Sequence, residues 1–166
     1  MVSPAESPQT PSPNELRAFA YRLLGRREYS VFELRQRLLQ KWSGIGEIDV
    51  LVEELLEALV DENLLSDERF AESFVRLRVA RHQGPLKIRA ALRQKGIDDR
   101  LASVELDARS GSWSELAAEW LSRQHAGPVD FDTRKKLYRR LVNRGFSHDQ
   151  AMAAIDRISR QGASDD

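Results

Sequence analysis

The segment that decides the fold is Lys87-Ile-Arg-Ala-Ala-Leu-Arg-Gln-Lys-Gly-Ile97, because it recurs as Lys136-Leu-Tyr-Arg-Arg-Leu-Val-Asn-Arg-Gly-Phe146. In both copies a leucine stands four residues before a glycine, and a large apolar residue follows that glycine. A glycine in the left-handed conformation ends a helix, and the next residue can then pack on the leucine of the last turn. The repeat therefore predicts the same helix and the same helical stop at two places in the chain.

A third, weaker copy is Glu33-Leu-Arg-Gln-Arg-Leu-Leu-Gln-Lys-Trp42, in which Trp42 stands where the other copies have glycine. Extending the three copies outward predicts three units of three helices each, at about 14–65, 66–110 and 112–160. Units this small bury little apolar surface alone, so we expect them to stack in a row, as repeat proteins do. The expected fold is all-α, an elongated and curved tandem array of three three-helix repeats.

Apolar periodicity and capping residues predict helices throughout this part of the chain. Serine followed three residues later by Glu or Gln predicts capping boxes at Ser30 with Glu33, Ser112 with Glu115, and Ser147 with Gln150. Gly84-Pro85 predicts a break and a new helix start, since proline suits the first turn of a helix. Phe70, Phe74 and Leu77 are expected to share the apolar face of another helix. Residues 1–13 and 161–166 have little to bury and are predicted to be disordered tails.

Composition excludes several classes of function. The 166 residues include no cysteine, which excludes disulfides and thiolate chemistry. Phosphate-loop, nucleophile-elbow and zinc-helix motifs are all missing from the sequence, and the three histidines lie far apart. We therefore predict a non-enzymatic protein without catalytic residues, cofactor or metal. Neither a secretory signal nor a membrane-spanning run is recognisable, so we expect a cytoplasmic location.

The charge distribution is more informative than the net charge of zero. Ten acids stand against one base from Glu47 to Glu72, whereas Ser73–Ile97 holds seven bases and no acid, and a second basic block spans Arg134–Arg144. Such blocks indicate surfaces for charged partners. The predicted binding residues are Arg69, Arg76, Arg78, Arg81, His82, Lys87, Arg89, Arg93, Lys95, Arg134, Lys135, Arg139 and Arg140. Tyr138 could stack on a base, but packing is the favoured interpretation, as it is for the pair Trp113 and Trp120. The acidic helix at 53–62 could touch a basic surface of a partner, but pairing with arginines of the same chain is favoured.

Two stretches resemble the middle signature of the RecX family: Leu55-Leu-Glu-Ala-Leu-Val-Asp-Glu-Asn-Leu-Leu-Ser-Asp-Glu-Arg-Phe-Ala-Glu-Ser-Phe-Val-Arg76 and Gly84-Pro-Leu-Lys-Ile-Arg-Ala-Ala-Leu-Arg-Gln-Lys-Gly-Ile97. The opening Ala20-Tyr-Arg-Leu-Leu-Gly-Arg-Arg-Glu-Tyr-Ser-Val-Phe-Glu-Leu-Arg35 is similar to the first repeat of that family. The resemblance runs from about Leu16 to Ile158. The chain departs from the family pattern in its Pro/Ser-rich leader and at Trp42-Ser43, where Lys-Gly or Arg-Gly is usual.

The resemblance implies tandem three-helix repeats, no catalytic activity, and insertion into the helical groove of a RecA–DNA filament. There the family damps ATP hydrolysis, strand exchange and coprotease function by RecA. It also implies weak, non-specific binding of single- and double-stranded DNA. No membrane partner is expected, since the sequence has no membrane-spanning run. Basic residues would then meet acidic patches on RecA or phosphates of DNA. Two modes of binding stay open, at the filament end or along its groove, and so do a monomer and a swapped dimer.

A transcriptional regulator of the winged-helix type is the main alternative, since residues 30–65 alone resemble the helices of such a domain. It requires two β-strands directly after Leu65, where the apolar spacing favours a helix instead. The acidic helix at 53–62 would also be repelled by phosphates as a recognition helix. A helical scaffold for some other partner is a third possibility.

Overall fold

The computed structural model describes residues 10–162, and across that range the chain forms nine α-helices, one short 3-10 helix and no β-strand. The helices are α1 Pro13–Leu24, α2 Val31–Lys41, α3 Ile48–Asp61, α4 Asp67–Ala80, α5 Pro85–Gln94, α6 Asp99–Asp107, α7 Trp113–Gln124, α8 Phe131–Asn143 and α9 His148–Gly162, with the 3-10 helix at Ser110–Ser112. The predicted all-α fold is confirmed. Of the predicted disordered tails, residues 1–9 and 163–166 lie outside the described range, whereas Pro13 begins α1 and Gly162 ends α9.

The chain divides into two compact units. Unit 1 extends to Phe70 and includes Lys95–Ile97, and unit 2 consists of Ala71–Gln94 and the chain from Asp98 onward. Helix α4 therefore contributes to both units, as does the segment that ends α5. The boundaries proposed from the sequence for three repeats stay a prediction.

The core of unit 1 is formed by α1, α2 and α3. Its fully buried side chains are Leu16, Ala20, Leu34, Leu38, Val52, Leu56, Leu59 and Leu65. Two ion pairs join α3 and its C-cap residue to the neighbouring helices: Arg35 to Glu53 of α3 at 2.6 Å, and Arg17 to the C-cap Glu62 at 2.8 Å. These exposed pairs contribute little to stability, so the apolar core holds the unit together.

Buried small and branched side chains of α7, α8 and α9 form much of the core of unit 2. They include Ala117, Ala118, Leu121, Leu137, Leu141, Ala151, Ala154 and Ile155. Helix α7 packs along α9, and the alanines of both helices let their backbones approach closely. Trp113 closes one end of this core, with its indole N–H donating to the carbonyl of Leu106 at 3.4 Å.

Both predicted glycine stops are confirmed. Gly96 has φ +74° and Gly145 has φ +92°, the left-handed conformation that glycine adopts without strain. After α8 the N–H of Phe146 donates to the carbonyl of Leu141 at 3.2 Å, and that of Gly145 to the carbonyl of Val142 at 2.9 Å. These two bonds are the Schellman pattern expected from the repeat.

The capping box predicted at Ser147 is present, and the one predicted at Ser30 is half formed, because the carboxylate of Glu33 bonds to Arg27 and Lys95 instead of the backbone of Ser30. Ser30 accepts a hydrogen bond from the N–H of Glu33 at 3.0 Å, and Ser147 and Gln150 form the reciprocal bonds of a capping box. Pro85 occupies the first position of α5, as predicted from the Gly-Pro break.

Two local predictions are wrong. Ser112 makes no capping bond, because its backbone (φ −107°, ψ −4°) already lies in the 3-10 helix and its hydroxyl donates to the carbonyl of Arg109. Leu77 is 56% exposed, because α4 buries the face that carries Val75 instead. The winged-helix alternative is wrong as well, since α4 begins at Asp67, where that fold requires strands.

Candidate partner-binding site

Within unit 2 the turn after α8 packs directly on the loop that begins α5. The N–H of Gly84 donates to the carbonyl of Arg144 at 2.8 Å, and the N–H of Leu86 donates to the carbonyl of Gly145 at 3.0 Å. A Cβ placed on Gly84 would lie 2.3 Å from the carbonyl carbon of Gly145. The two glycines thus allow backbone to contact backbone, and we call residues 84–87 and 143–146 the glycine joint.

Arg144 links this joint to the end of α4. Its Nε donates to the carbonyl of His82 at 2.9 Å, and its Nη2 donates to the carbonyl of Arg81. Its guanidinium lies 4.5 Å from the centre of the Trp120 ring, and the guanidinium of Arg140 lies 5.0 Å from the same centre. Burial lowers the pKa of the Arg144 guanidinium, and the nearby charge of Arg140 lowers it further.

The end of α4 supplies the carbonyls that Arg144 needs. His82 has φ +52°, and the N–H of Gln83 donates back to the carbonyl of Arg78 at 3.1 Å, so α4 ends in the same way as α8. The last carbonyls of a helix have no partner within it and carry partial negative charge. A guanidinium satisfies two of them here, which fixes the position of Arg144.

Four cations belong to the glycine joint or to the residues that contact it, and we call them the basic site: Arg81, Lys87, Arg140 and Arg144. Arg140 and Arg144 lie over the ring of Trp120, Lys87 belongs to the joint, and Arg81 accepts the Arg144 hydrogen bond at its carbonyl. The Nζ of Lys87 contacts the carbonyl of Asn143 at 3.4 Å, and Arg140 contacts the amide oxygen of Gln124 at 3.0 Å. Among the described residues, no carboxylate forms an ion pair with any of the four. The site can therefore take anions such as phosphates or carboxylates, for which guanidinium groups provide paired donors.

Glu119 is the acid next to Trp120 in sequence, and its carboxylate is already engaged. It accepts from Arg123 at 2.6 Å and lies 3.5 Å from Nε2 of His82. The basic site thus combines Arg81 and Lys87 of the first basic block with Arg140 and Arg144 of the second, whereas the predicted binding residue His82 faces Glu119.

Most of the other predicted binding residues have partners within the chain. They are Arg69 with Glu28 (3.0 Å), Arg78 on the ring of Phe74 (4.6 Å), Arg89 and Arg93 with Asp99 (3.2 and 3.5 Å), Lys95 with Glu33 (2.6 Å), and Arg134 with Asp156 (2.5 Å). Lys135 lies 5.4 Å from the ring centre of Phe131. Arg76 and Arg139 are exposed, and neither has a carboxylate partner in the described part of the chain.

Two residues of the site, Arg144 and Trp120, were not among the predicted binding residues. Arg144 closes the second basic block, so its charge is visible in the sequence, but its bonds to two carbonyls of α4 are not. Trp113 is buried, as expected of a core residue, whereas Trp120 is only half-buried and lies beneath the two guanidiniums. The spacing of the tryptophans indicates a shared helix face, and the burial of each depends on tertiary packing.

A second close contact lies in unit 1, where the turn at Lys95–Ile97 packs on the start of α2. The hydroxyl of Ser30 donates to the carbonyl of Lys95 at 2.7 Å, and a Cβ on Gly96 would lie 2.4 Å from Cβ of Phe32. The ammonium of Lys95 also bonds to the carboxylate of Glu33. Both the carbonyl and the ammonium group of Lys95 therefore stabilise this contact within the chain.

The substitution Glu33→Gln is expected to remove the part of the free energy of unfolding that depends on ionisation of the Glu33 carboxyl group. Burial alone would raise the pKa of Glu33, but hydrogen bonds from Arg27 and Lys95 outweigh it and hold the pKa below its usual value. A carboxyl whose folded pKa is lowered stabilises the protein above its unfolded pKa of about 4.3 and loses that effect as pH falls through the folded pKa. We expect the variant to unfold about 1 kcal/mol more easily at pH 7 and to lose less stability in acid.

Urea unfolding at pH 7 and through the acid range measures this difference. Glu57→Gln is the control, because Glu57 is exposed and forms no ion pair in the part of the chain that the structure describes. Equal acid sensitivity of the Glu33 variant and the unsubstituted chain would contradict the role assigned to Glu33.

Within residues 10–162 no helix is long and apolar enough to cross a membrane. The same range contains no group of three or more His, Asp and Glu side chains placed to hold a metal ion.

The helices and the basic site together place the chain in a class of proteins: all-helical proteins that carry a cationic binding surface. A family model described as the second three-helix domain of RecX matches residues 66–103. The regulatory protein RecX of Chromohalobacter salexigens is 42% identical over 137 residues, covering 82% of this chain and 88% of that protein. The regulatory protein RecX of Halorhodospira halophila is 40% identical over 141 residues, covering 84% and 85%. The chain belongs to the RecX family of regulatory proteins.

The fold is shared with solved structures. The crystal structure of RecX from Lactobacillus salivarius matches with a TM-score of 0.74 at 24% identity, over 87% of this chain and 95% of that one. A crystal structure of a regulatory protein RecX matches with a TM-score of 0.68 over 86% of this chain and 74% of that one.

Proposed function

We propose that the chain is a non-catalytic regulator that binds in the groove of the RecA–DNA filament and damps ATP hydrolysis, strand exchange and coprotease activity by RecA. Membership of the RecX family supports a regulatory role. The basic site supports an anionic partner, because none of its four cations forms an ion pair with a carboxylate of the described residues. That arrangement is the observation on which the proposal rests.

The side chains of the basic site are held in place before any partner binds, and this favours binding to a filament. Arg144 is held by backbone carbonyls and by the ring of Trp120, so little side-chain entropy remains to be lost on binding. The glycine joint fixes Lys87 beside it. Two neighbouring guanidiniums without a bound anion repel each other, and a phosphate or carboxylate between them removes that repulsion. Binding is therefore expected to weaken as salt rises.

DNA contact follows from the same charges. The four cations would attract phosphates of single- and double-stranded DNA without reading sequence, and the resulting affinity would fall with salt. Such contact is expected to be weak alone and to add to contacts with RecA inside the filament.

Binding to preassembled filaments tests the proposal. The labelled chain is titrated with RecA–DNA filaments, with naked DNA of the same length and with RecA alone, at low and high salt, and anisotropy is recorded. Tighter binding to filaments than to either component is the expected result. Saturation at one molecule per filament would indicate end binding, and saturation at many would indicate binding along the groove. Equal affinity for filaments and naked DNA would overturn the proposal.

A further inference from the structure

Phe131, the first residue of α8, is 75% exposed although its aromatic ring is large and apolar. Full burial of such a side chain typically contributes about 1.5–3 kcal/mol to the free energy of folding. Because Phe131 is exposed, most of this stabilisation is absent. The ring lies at the edge of a shallow cavity of about 290 Å³ between α8 and α9, well outside the basic site. The ring is therefore accessible to a ligand that enters this cavity.

The wall of this cavity is largely aromatic and fixed. The hydroxyl of Tyr138 lies 3.1 Å from Nδ1 of His148, and the two rings meet edge to face with centres 5.6 Å apart. Met152 supplies a further apolar surface. We call the cavity lined by Phe131, Tyr138, His148 and Met152 the stacking pocket.

Cations stand at the rim of the stacking pocket. The ammonium of Lys135 lies 5.4 Å from the ring centre of Phe131, while Arg134 is held by Asp156. Along α8 follow exposed Lys136 and Arg139, neither of which forms an ion pair within the described range. Two exposed acids lie beside the ring, Asp132 and the N-cap residue Asp130. With Arg134 paired to Asp156, the three cations Lys135, Lys136 and Arg139 stand against the two acids Asp130 and Asp132 along this part of α8.

We propose that the stacking pocket binds one base of single-stranded nucleic acid, with the base stacked on Phe131 and Lys135 and Arg139 on the adjacent phosphates. An exposed ring beside cations is the arrangement by which proteins bind single strands without sequence preference, because every base has a flat face. An acidic peptide with an apolar anchor would also meet the cations. The flat rings that line the pocket favour a base, and the bases of a duplex are already stacked. The pocket acts without RecA and is distinct from the basic site.

Phe131→Ala tests this proposal with DNA alone. We expect the variant to bind labelled oligodeoxythymidine about tenfold more weakly, since one base stack is lost, and to bind a duplex of the same length unchanged. Phe131→Trp should restore single-strand binding. Val142→Ala is the matched control, because Val142 is also an exposed apolar residue of α8. Because Phe131 is exposed, its replacement should leave the fold intact. Circular dichroism of each variant tests whether the helix content is unchanged.

An abasic strand of equal length separates stacking from charge. The unsubstituted chain should bind it more weakly than oligodeoxythymidine, and Phe131→Ala should cause no further loss. An equal loss on single strands and duplex, an equal loss on the abasic strand, or no loss at all would overturn the proposal. So would a defect seen only with RecA filaments, which would indicate a peptide-docking pocket. None of these results depends on whether the chain inhibits RecA.

Discussion

Reversing two charges of the basic site, Arg81→Glu with Arg140→Glu, is expected to raise the concentration needed for half-inhibition of RecA ATP hydrolysis at least about tenfold. Each substitution removes a cation and adds a carboxylate that neutralises Arg144 or Lys87. The loss of two charge-assisted contacts, each worth about 1.5–3 kcal/mol, exceeds the 1.4 kcal/mol of a tenfold change. Both side chains are exposed, so the core is untouched.

A matched control is available in unit 1. Arg26→Glu with Arg37→Glu changes the net charge by the same amount, and both arginines are exposed without an ion pair among the described residues. The control variant should inhibit RecA nearly as well as the unsubstituted chain. Similar losses in the two variants would mean that overall charge matters and that the basic site has no special role.

Gly145→Ala is expected to cost roughly 3 kcal/mol or more of the free energy of unfolding. Gly145 has φ +92°, which is strained for alanine, and the added Cβ would lie 2.3 Å from Cβ of Lys87 and 2.6 Å from its backbone nitrogen. Strain of about 1–2 kcal/mol and a clash of about 1–3 kcal/mol then add. Urea denaturation followed by circular dichroism measures the effect.

Three further glycines separate strain from clash. Gly84→Ala adds only the clash, since a Cβ there meets the Gly145 backbone at 2.3 Å without a positive φ. Gly44→Ala adds only the strain, with φ +85° and open space, and should cost about 1 kcal/mol. Gly111→Ala meets neither and should be nearly neutral. If Gly84→Ala and Gly145→Ala cost no more than Gly44→Ala, the glycine joint is not a close contact.

Local signals in the sequence predicted the helices and their ends. Gly96 and Gly145 identify their own stops, because the left-handed conformation depends on the glycine and its immediate neighbours. Ser30 and Ser147 identify caps for the same reason. The prediction of a helix cap at Ser112 was wrong, because Ser112 belongs to a 3-10 helix that leads directly into α7.

The candidate site was only partly predictable from the sequence. The charge of a residue follows from its identity, but whether that charge forms an ion pair depends on residues that are distant in the sequence. A basic residue is visible in the sequence, but Arg89 and Lys95 are neutralised by Asp99 and Glu33, which lie ten or more residues away. Arg144 gains its position from carbonyls more than sixty residues earlier. Likewise, the exposure of Phe131 follows from how α8 packs on α9.

Whether the chain regulates RecA is decided by its effect on ATP hydrolysis that RecA carries out in the presence of single-stranded DNA. The purified chain is titrated into RecA and single-stranded DNA at low and high salt, from far below one molecule per RecA upward. We expect suppression well below an equimolar ratio, with weaker suppression at high salt. Undiminished hydrolysis at an equimolar ratio, with the chain shown to be helical and folded, would contradict it.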